Sequence, residues 1–226
     1  MLDFKGHRFE QDIILTGVRG YLAYPLSDRN LEEMRAERGV EVGHSSVYRW
    51  VQKFTPQREA AFRKRKKRPA GKRWRMDETS IKIKGQWKYL YRAVDWDGQT
   101  IDFLLTAHRD QKAALRFLKK AMRQHGLPDK ITIDKSGANT AAIEALKEST
   151  GHAIEIRKNK YLNNLIEQDH RAVKRIVRPM LGLQSFRSAR VTLQGIELVH
   201  MIKKGQMSIV TRQGLSPAEQ FYSLAA

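Results

Sequence analysis

Hydrophobic positions recur along this chain with two different periods, and the change from one to the other divides it. Over residues 1–56 the period is helical. Ile13, Ile14, Val18 and Tyr21 or Leu22 predict a helix over Asp12 to Tyr24. A second helix takes its apolar face from Leu31 and Met34, an N-cap from Ser27 or Asp28 and a stop from Gly39. After a turn at Val40 to Gly43, Val47, Trp50, Val51 and Phe54 recur at i, i+3, i+4 and i+7. That third helix is expected to be capped by Ser45 or Ser46 and ended by Thr55-Pro56. Together they form a helix-turn-helix pattern, with a plain three-helix packing unit as the alternative.

From Trp74 the period becomes two. Ile81 and Ile83 alternate with polar neighbours, Lys84 to Gln86 turns, and Trp87, Tyr89 and Tyr91 alternate through Trp96. Asp97-Gly98 marks a hairpin, followed by a strand over Thr100 to Thr106. Gln111 to His125 then shows a helical face of Ala114, Leu115, Leu118 and Met122. Further elements are a strand at Lys130 to Asp134, a helix at Thr140 to Ser149, a strand at Ala153 to Ile156 and a helix at Asn163 to Val177. The order β-β-β-α-β-α-β-α is that of an α/β, ribonuclease-H-like mixed five-stranded sheet flanked by helices, here preceded by a small all-α domain. The expected division is 1–56 helix-turn-helix, 57–75 basic linker, 76–180 catalytic domain and 181–226 C-terminal helical extension, with a helix from about Ser188 to Lys204.

Charge gives this architecture a partner. The 226 residues hold 43 Lys and Arg against 24 Asp and Glu, a net charge of +19, and such a surface seeks a polyanion. Gln57 to Arg75 alone carries ten cations and one acid. Ser46, Tyr48, Arg49 and Lys53 on the outward face of the third helix suit phosphate and base-edge contacts in DNA, and Lys64, Arg65, Lys66, Lys67 and Arg68 suit sequence-independent grip. The alternative for both is a solvated charged face. Cysteine is absent, which excludes disulfides and thiolate chemistry, and the seven histidines have no zinc-finger spacing. No run approaches the roughly 18 apolar residues of a membrane span. The expectation is a cytoplasmic protein, nucleoid-associated through its DNA partner, with no membrane or small-molecule partner.

Three carboxylates carry the candidate chemistry. Asp77 opens the first strand, Asp134 ends the fourth, which in this strand order lies beside the first, and Glu167 sits on the first turns of the following helix. Separately each could be a turn or cap residue. Converging, they would repel unless a cation joined them, and two divalent ions on oxygen ligands are what phosphodiester transfer uses. Glu78, next to Asp77, points to the other face of the strand and reads as a surface or supporting group. His170, Arg171 and Lys174 follow Glu167 at i+3, i+4 and i+7, a face suited to gripping DNA near the cut, or else a solvated basic helix face, with His170 equally a core-edge residue.

The segments RMDETSIKIKGQWKYLYRAVDWDGQTIDFLLTAHRD, FLKKAM, TIDKSGANTAAI and KYLNNLIEQDHRAVKRIV resemble the transposases of the bacterial insertion-sequence family six. The likeness runs from about Phe4 to Lys204. It implies a DDE triad at the Asp of MDET, the Asp of TIDK and the Glu of IEQDH, which are Asp77, Asp134 and Glu167, with the following basic residue at Lys174. It further implies Mg²⁺ or Mn²⁺, terminal inverted repeats as bound DNA, and replicative transposition through cointegrates. Ser80 stands where that family often has Tyr, and the spacing from Asp134 to Glu167 is slightly short. A homo-oligomer, at least a dimer, is expected because two DNA ends are joined together. The competing function is a transposase-derived repressor or domesticated DNA-binding protein without catalysis.

Overall fold

The structure, a computed structural model, describes residues 4–67, 71–159, 164–180, 183–208 and 214–225. Its elements are α1 (Gln11–Ala23), α2 (Asp28–Ala36), α3 (His44–Arg65), β1 (Arg73–Ile83), β2 (Gln86–Asp95), β3 (Thr100–Thr106), α4 (Gln111–His125), β4 (Lys130–Ile133), α5 (Gly137–Thr150), β5 (Glu155–Lys158), α6 (Asn164–Val177), α7 (Phe186–Lys203) and α8 (Pro217–Tyr222). They form two compact units, Arg68–Ala172 and a helical unit that joins Met1–Lys67 to Val173–Ala226.

In the helical unit, α2 starts at Ser27, whose side chain accepts from Asn30 N while Asn30 bonds back to the Ser27 backbone. It stops as expected at Gly39, which has φ +72°, a conformation that favours glycine. The third helix differs from expectation at both ends. It begins at His44 on a Gly43 N-cap, not on Ser45 or Ser46, and it runs through Pro56 to Arg65. A proline inside a helix costs about 3 kcal/mol. Burial beyond it offsets that cost, since Arg58 and Phe62 are both fully buried. The expected linker is therefore half helix. Its next residues are also held, with Lys66 in a β-bridge to Met207, Lys67 N donating to Gln206 O and Ser208 N to Arg65 O.

Arg58 belongs to this core and not to a DNA-facing surface. Its Nη1 donates to Phe221 O at 2.8 Å and its guanidinium lies 4.2 Å over the Phe221 ring. Burial pushes it down to about 10. The C-terminal residues complete the unit, with α7 packed on α3 and α1. Gly195 makes the closest approach, because a Cβ there would meet Leu22 at 2.6 Å and Thr55 at 3.0 Å.

The other unit is a five-stranded sheet in the order β3-β2-β1-β4-β5. The first three strands form an antiparallel meander, and β4 and β5 continue it in parallel, the expected ribonuclease-H-like arrangement. Lys84 (φ +46°) and Gly85 (φ +78°) make a two-residue hairpin with Ile83 paired to Gln86, as a type I′ turn requires. Trp74, Met76, Ile131 and Ile133 on one face of the sheet pack with Phe117, Leu118 and Ala121 of α4 and Ala142, Ile143 and Leu146 of α5. Asp110 caps α4 and Ser136 caps α5, which is why α5 begins three residues before the expected Thr140. The fifth strand lies two residues later than expected.

Gly195→Ala gains about 1 kcal/mol of helix propensity but forces Leu22 from a closed contact. The net expectation is a loss of about 1–2 kcal/mol, read as a fall in melting temperature of several degrees.

Candidate active site

The parallel pairing of β1 and β4 brings the first two carboxylates together. Their register runs Arg73↔Lys130, Trp74↔Ile131 and Arg75↔Thr132. Two residues further along each chain stand Asp77 and Asp134. Side chains alternate across a strand, so Asp77 leaves the sheet on the face opposite the Met76 core, while Asp134 stands just past the end of β4. Asp77 is not at the start of its strand but well inside it. Asp134 follows β4 directly and accepts from Ser136 N at 3.0 Å, which ties it to the cap of α5.

Of the two readings open for Glu78, surface or supporting group, its burial leaves the supporting one. Alternation does send it to the α4 and α5 side, but its side chain is only 1% exposed and is not a surface group. One carboxylate oxygen each from Asp77, Glu78 and Asp134 lie within 4.8 Å of one another. Its neighbours had no sequence signal of their own: Arg109, in the loop before α4, donates to Oε1, and Asn139 of α5 donates to Oε2 at 2.8 Å. Glu167 is outside this cluster. Its carboxylate is about half exposed and lies 3.7 Å from Arg171.

On the other face, α6 is anchored by a buried ion pair between Arg92 of β2 and Asp169, with Arg92 Nη2 also donating to Thr100 Oγ1 at 2.9 Å. This fixes the next residue, His170, which is buried with Nδ1 3.6 Å from Asp77 Oδ2. His170 is therefore a neighbour of the carboxylates and not an exposed DNA-gripping group. Glu167 lies one turn earlier on the same helix face.

The cluster holds more negative charge than its surroundings neutralise. Burial, then the charges of Glu78, Asp134 and Glu167, push the Asp77 carboxyl up to about 7. Burial pulls Arg109 down, but Glu78 and Asp134 outweigh it and its net direction is up. An all-oxygen donor set with uncompensated charge fits a hard divalent cation.

Arg49 and Lys53 are exposed on α3, with Ser46 and Tyr48 half-buried beside them. Arg49 Nε donates to Ser45 O at 3.2 Å, and Lys53 Nζ lies 2.7 Å from His7 Nε2. Lys64 and Arg65 are exposed on the last turn of α3 and Lys67 just beyond it, with Lys66 half-buried. Arg68 lies outside the described residues, as does Asn163. Arg171 and Lys174 are exposed on α6.

Residues 71–206 match the family model of the DDE domain of IS240-type transposases (DDE_Tnp_IS240). The transposase for insertion sequence-like element IS431mec of Staphylococcus aureus is 41% identical over 228 residues, covering 99% of this chain and 98% of the relative. The chain belongs to insertion-sequence family six of the DDE transposases. The transposase of element IS257 in transposon Tn4003, also from Staphylococcus aureus, is 40% identical over the same length. Among solved structures this transposase is similar to the HTLV-2 integrase catalytic core domain in complex with magnesium in its trimeric form, at 14% identity and a TM-score of 0.47, covering 68% of this chain and 98% of that one. The BIV integrase catalytic core domain gives 19% identity and a TM-score of 0.46, covering 68% and 95%. Among the described residues no helix is long and apolar enough to cross a membrane.

The raised Asp77 carboxyl sets a pH dependence for the metal-free transposase. The folded chain keeps a proton there between the ordinary value of 3.8 and about 7 that the unfolded chain has lost. Stability therefore falls as pH rises through that window, and the full penalty is present above it. In chelator, Asp77→Asn should melt several degrees higher than the parent at pH 8, on the order of 1–2 kcal/mol. At pH 4 the gain should be gone, and an equal gain at both values would contradict the assignment.

Proposed function

We propose that this transposase binds the terminal inverted repeats of its own insertion sequence, cuts a strand at each end and joins the 3′-hydroxyls to target DNA, replicatively and through cointegrates. The observation that carries this reading is the convergence of Asp77 and Asp134 from adjacent parallel strands in a cluster short of positive charge. Glu167 completes the catalytic triad in this proposal. Its support is its place one turn before His170, which already meets Asp77, and the effect of its charge on Asp77. Two Mg²⁺ or Mn²⁺ ions held by the three carboxylates would activate the attacking hydroxyl and stabilise the leaving oxygen.

The chain's own residues supply position. Ser136 and the α5 cap orient Asp134, and the Arg92–Asp169 pair holds α6 so that its first turns face Asp77. Recognition of the DNA ends is assigned to α3 in its helix-turn-helix setting, through Arg49 and Lys53 with Ser46 and Tyr48 beside them. The cations Lys64 to Lys67 add grip on phosphates whatever the sequence, as do Arg171 and Lys174 near the cut. Joining two ends in one event calls for at least a dimer.

Asp77→Asn, Asp134→Asn and Glu167→Gln should each abolish transfer of a labelled terminal-repeat oligonucleotide into plasmid, by roughly a thousandfold or more, while DNA binding and folding persist. Joined product from Asp134→Asn, or equal product in chelator, rejects the assignment. Binding isotherms divide the recognition roles. Arg49→Ala should lose roughly 1–3 kcal/mol of preference for the cognate end, whereas loss of Lys64 and Lys67 should mainly flatten the salt dependence.

A further inference from the structure

Arg109 has no part in the triad, yet it is the cation nearest to the carboxylate cluster from the α4 side. It stands immediately before the Asp110 cap, so its backbone is fixed by the start of α4. Its Nε donates to Glu78 Oε1, and its Nη2 lies 3.7 Å from Asp134 Oδ2. The two contacts differ in kind. The Glu78 side chain is 1% exposed and its second oxygen is taken by Asn139 at 2.8 Å, so both its oxygens are engaged and it serves as an anchor. Asp134 is 34% exposed and Arg109 is 48% exposed, and 3.7 Å is beyond hydrogen-bond length. That second contact is charge attraction through partly solvated surroundings, which is easily exchanged.

A guanidinium carries five N–H donors in a rigid fork suited to phosphate, and Nε alone is committed here. The fork is thus fixed at one end, half exposed at the other and beside a proposed metal ligand. We propose that Arg109 is a switchable phosphate-gripping residue: without metal it is the counter-charge of Asp134, and on metal loading it stays on Glu78 and turns its outer N–H groups to a DNA phosphate. The inference rests on the reading of Asp77 and Asp134 as metal ligands. It assigns Glu78 a role in holding Arg109, with its oxygens already filled by Arg109 and Asn139.

The two functions of Arg109 pull in opposite directions on removal. Arg109 competes with a cation for Asp134, so its loss should favour metal uptake, whereas loss of the phosphate grip should slow joining. A residue that merely holds the fold would lower both. Calorimetric titration of the full-length chain with Mn²⁺, without DNA, is therefore paired with transfer of the labelled end oligonucleotide at saturating Mn²⁺.

Arg109→Gln should bind Mn²⁺ roughly three- to tenfold more tightly than the parent and join ends at least roughly tenfold more slowly. Arg109→Lys keeps the charge and loses the fork, so its Mn²⁺ affinity should match the parent and its joining should fall between the two. Mn²⁺ affinity in Arg109→Gln equal to or weaker than the parent's, at unchanged melting temperature, overturns the inference. If Arg109→Gln does not fold, Arg109→Lys decides: reduced joining at parental Mn²⁺ affinity supports the inference, and full joining overturns it. A parent chain that takes up no Mn²⁺ overturns the metal reading as well, whereas uptake by the parent with no gain in Arg109→Gln removes Arg109's role alone.

Discussion

Electrostatic repulsion among carboxylates held at one end of β1 and β4 is the constraint on which the catalytic unit is organised. Backbone hydrogen bonding leaves Asp77 and Asp134 little choice of place, because the parallel register carries both chains to the same level. The sheet core behind them is apolar and closely packed, so neither side chain can withdraw into it without losing its charge. What the fold does instead is spread the burden. Asp77 holds a proton to about pH 7 when no metal is present, Ser136 N bonds Asp134, and Arg109 with Asn139 stabilises Glu78.

The two faces of the sheet meet this constraint differently. On the α4 and α5 side the polar groups are few and their partners are near: Glu78, Arg109 and Asn139 close on one another. On the α6 side a buried ion pair does the anchoring, and such a pair is worth most as a fixed point of geometry. Removing one member of it would leave an uncompensated charge inside the protein, a loss of about 3–5 kcal/mol. Arg92 and Asp169 thereby tie the helix that carries Glu167 and His170 to the strand next to Asp77.

Much of this was legible in the sequence because local signals and global fold agree. The Asp97-Gly98 and Lys84-Gly85 turns, the helical face of α4 and the alternation in β2 all pointed to the sheet that forms. The helix end expected at Pro56 rests on a local rule about proline, which carries no information on the burial of Arg58 and Phe62 beyond it. Glu78 was legible only in part, for a related reason. Alternation predicted its direction correctly but not what it would find there, since Asn139 and Arg109 lie 61 and 31 residues away in sequence. The place of the C-terminal helices beside the N-terminal ones was equally out of reach of any local pattern.

Formal charge is a poor guide to how many counterions a nucleic acid would release to this chain. Gln57 to Arg75 shows ten cations on paper. Arg58 is enclosed against Phe221, Arg63 is joined to Glu59, and Arg75 is buried with its guanidinium 4.7 Å over the Trp96 ring. Each phosphate neutralised contributes about 0.9 to the slope of log affinity against log salt. The polyelectrolyte character of this stretch is therefore that of a smaller set of side chains than its composition suggests. The others are internal fittings, positive charges that the fold has used to hold itself together.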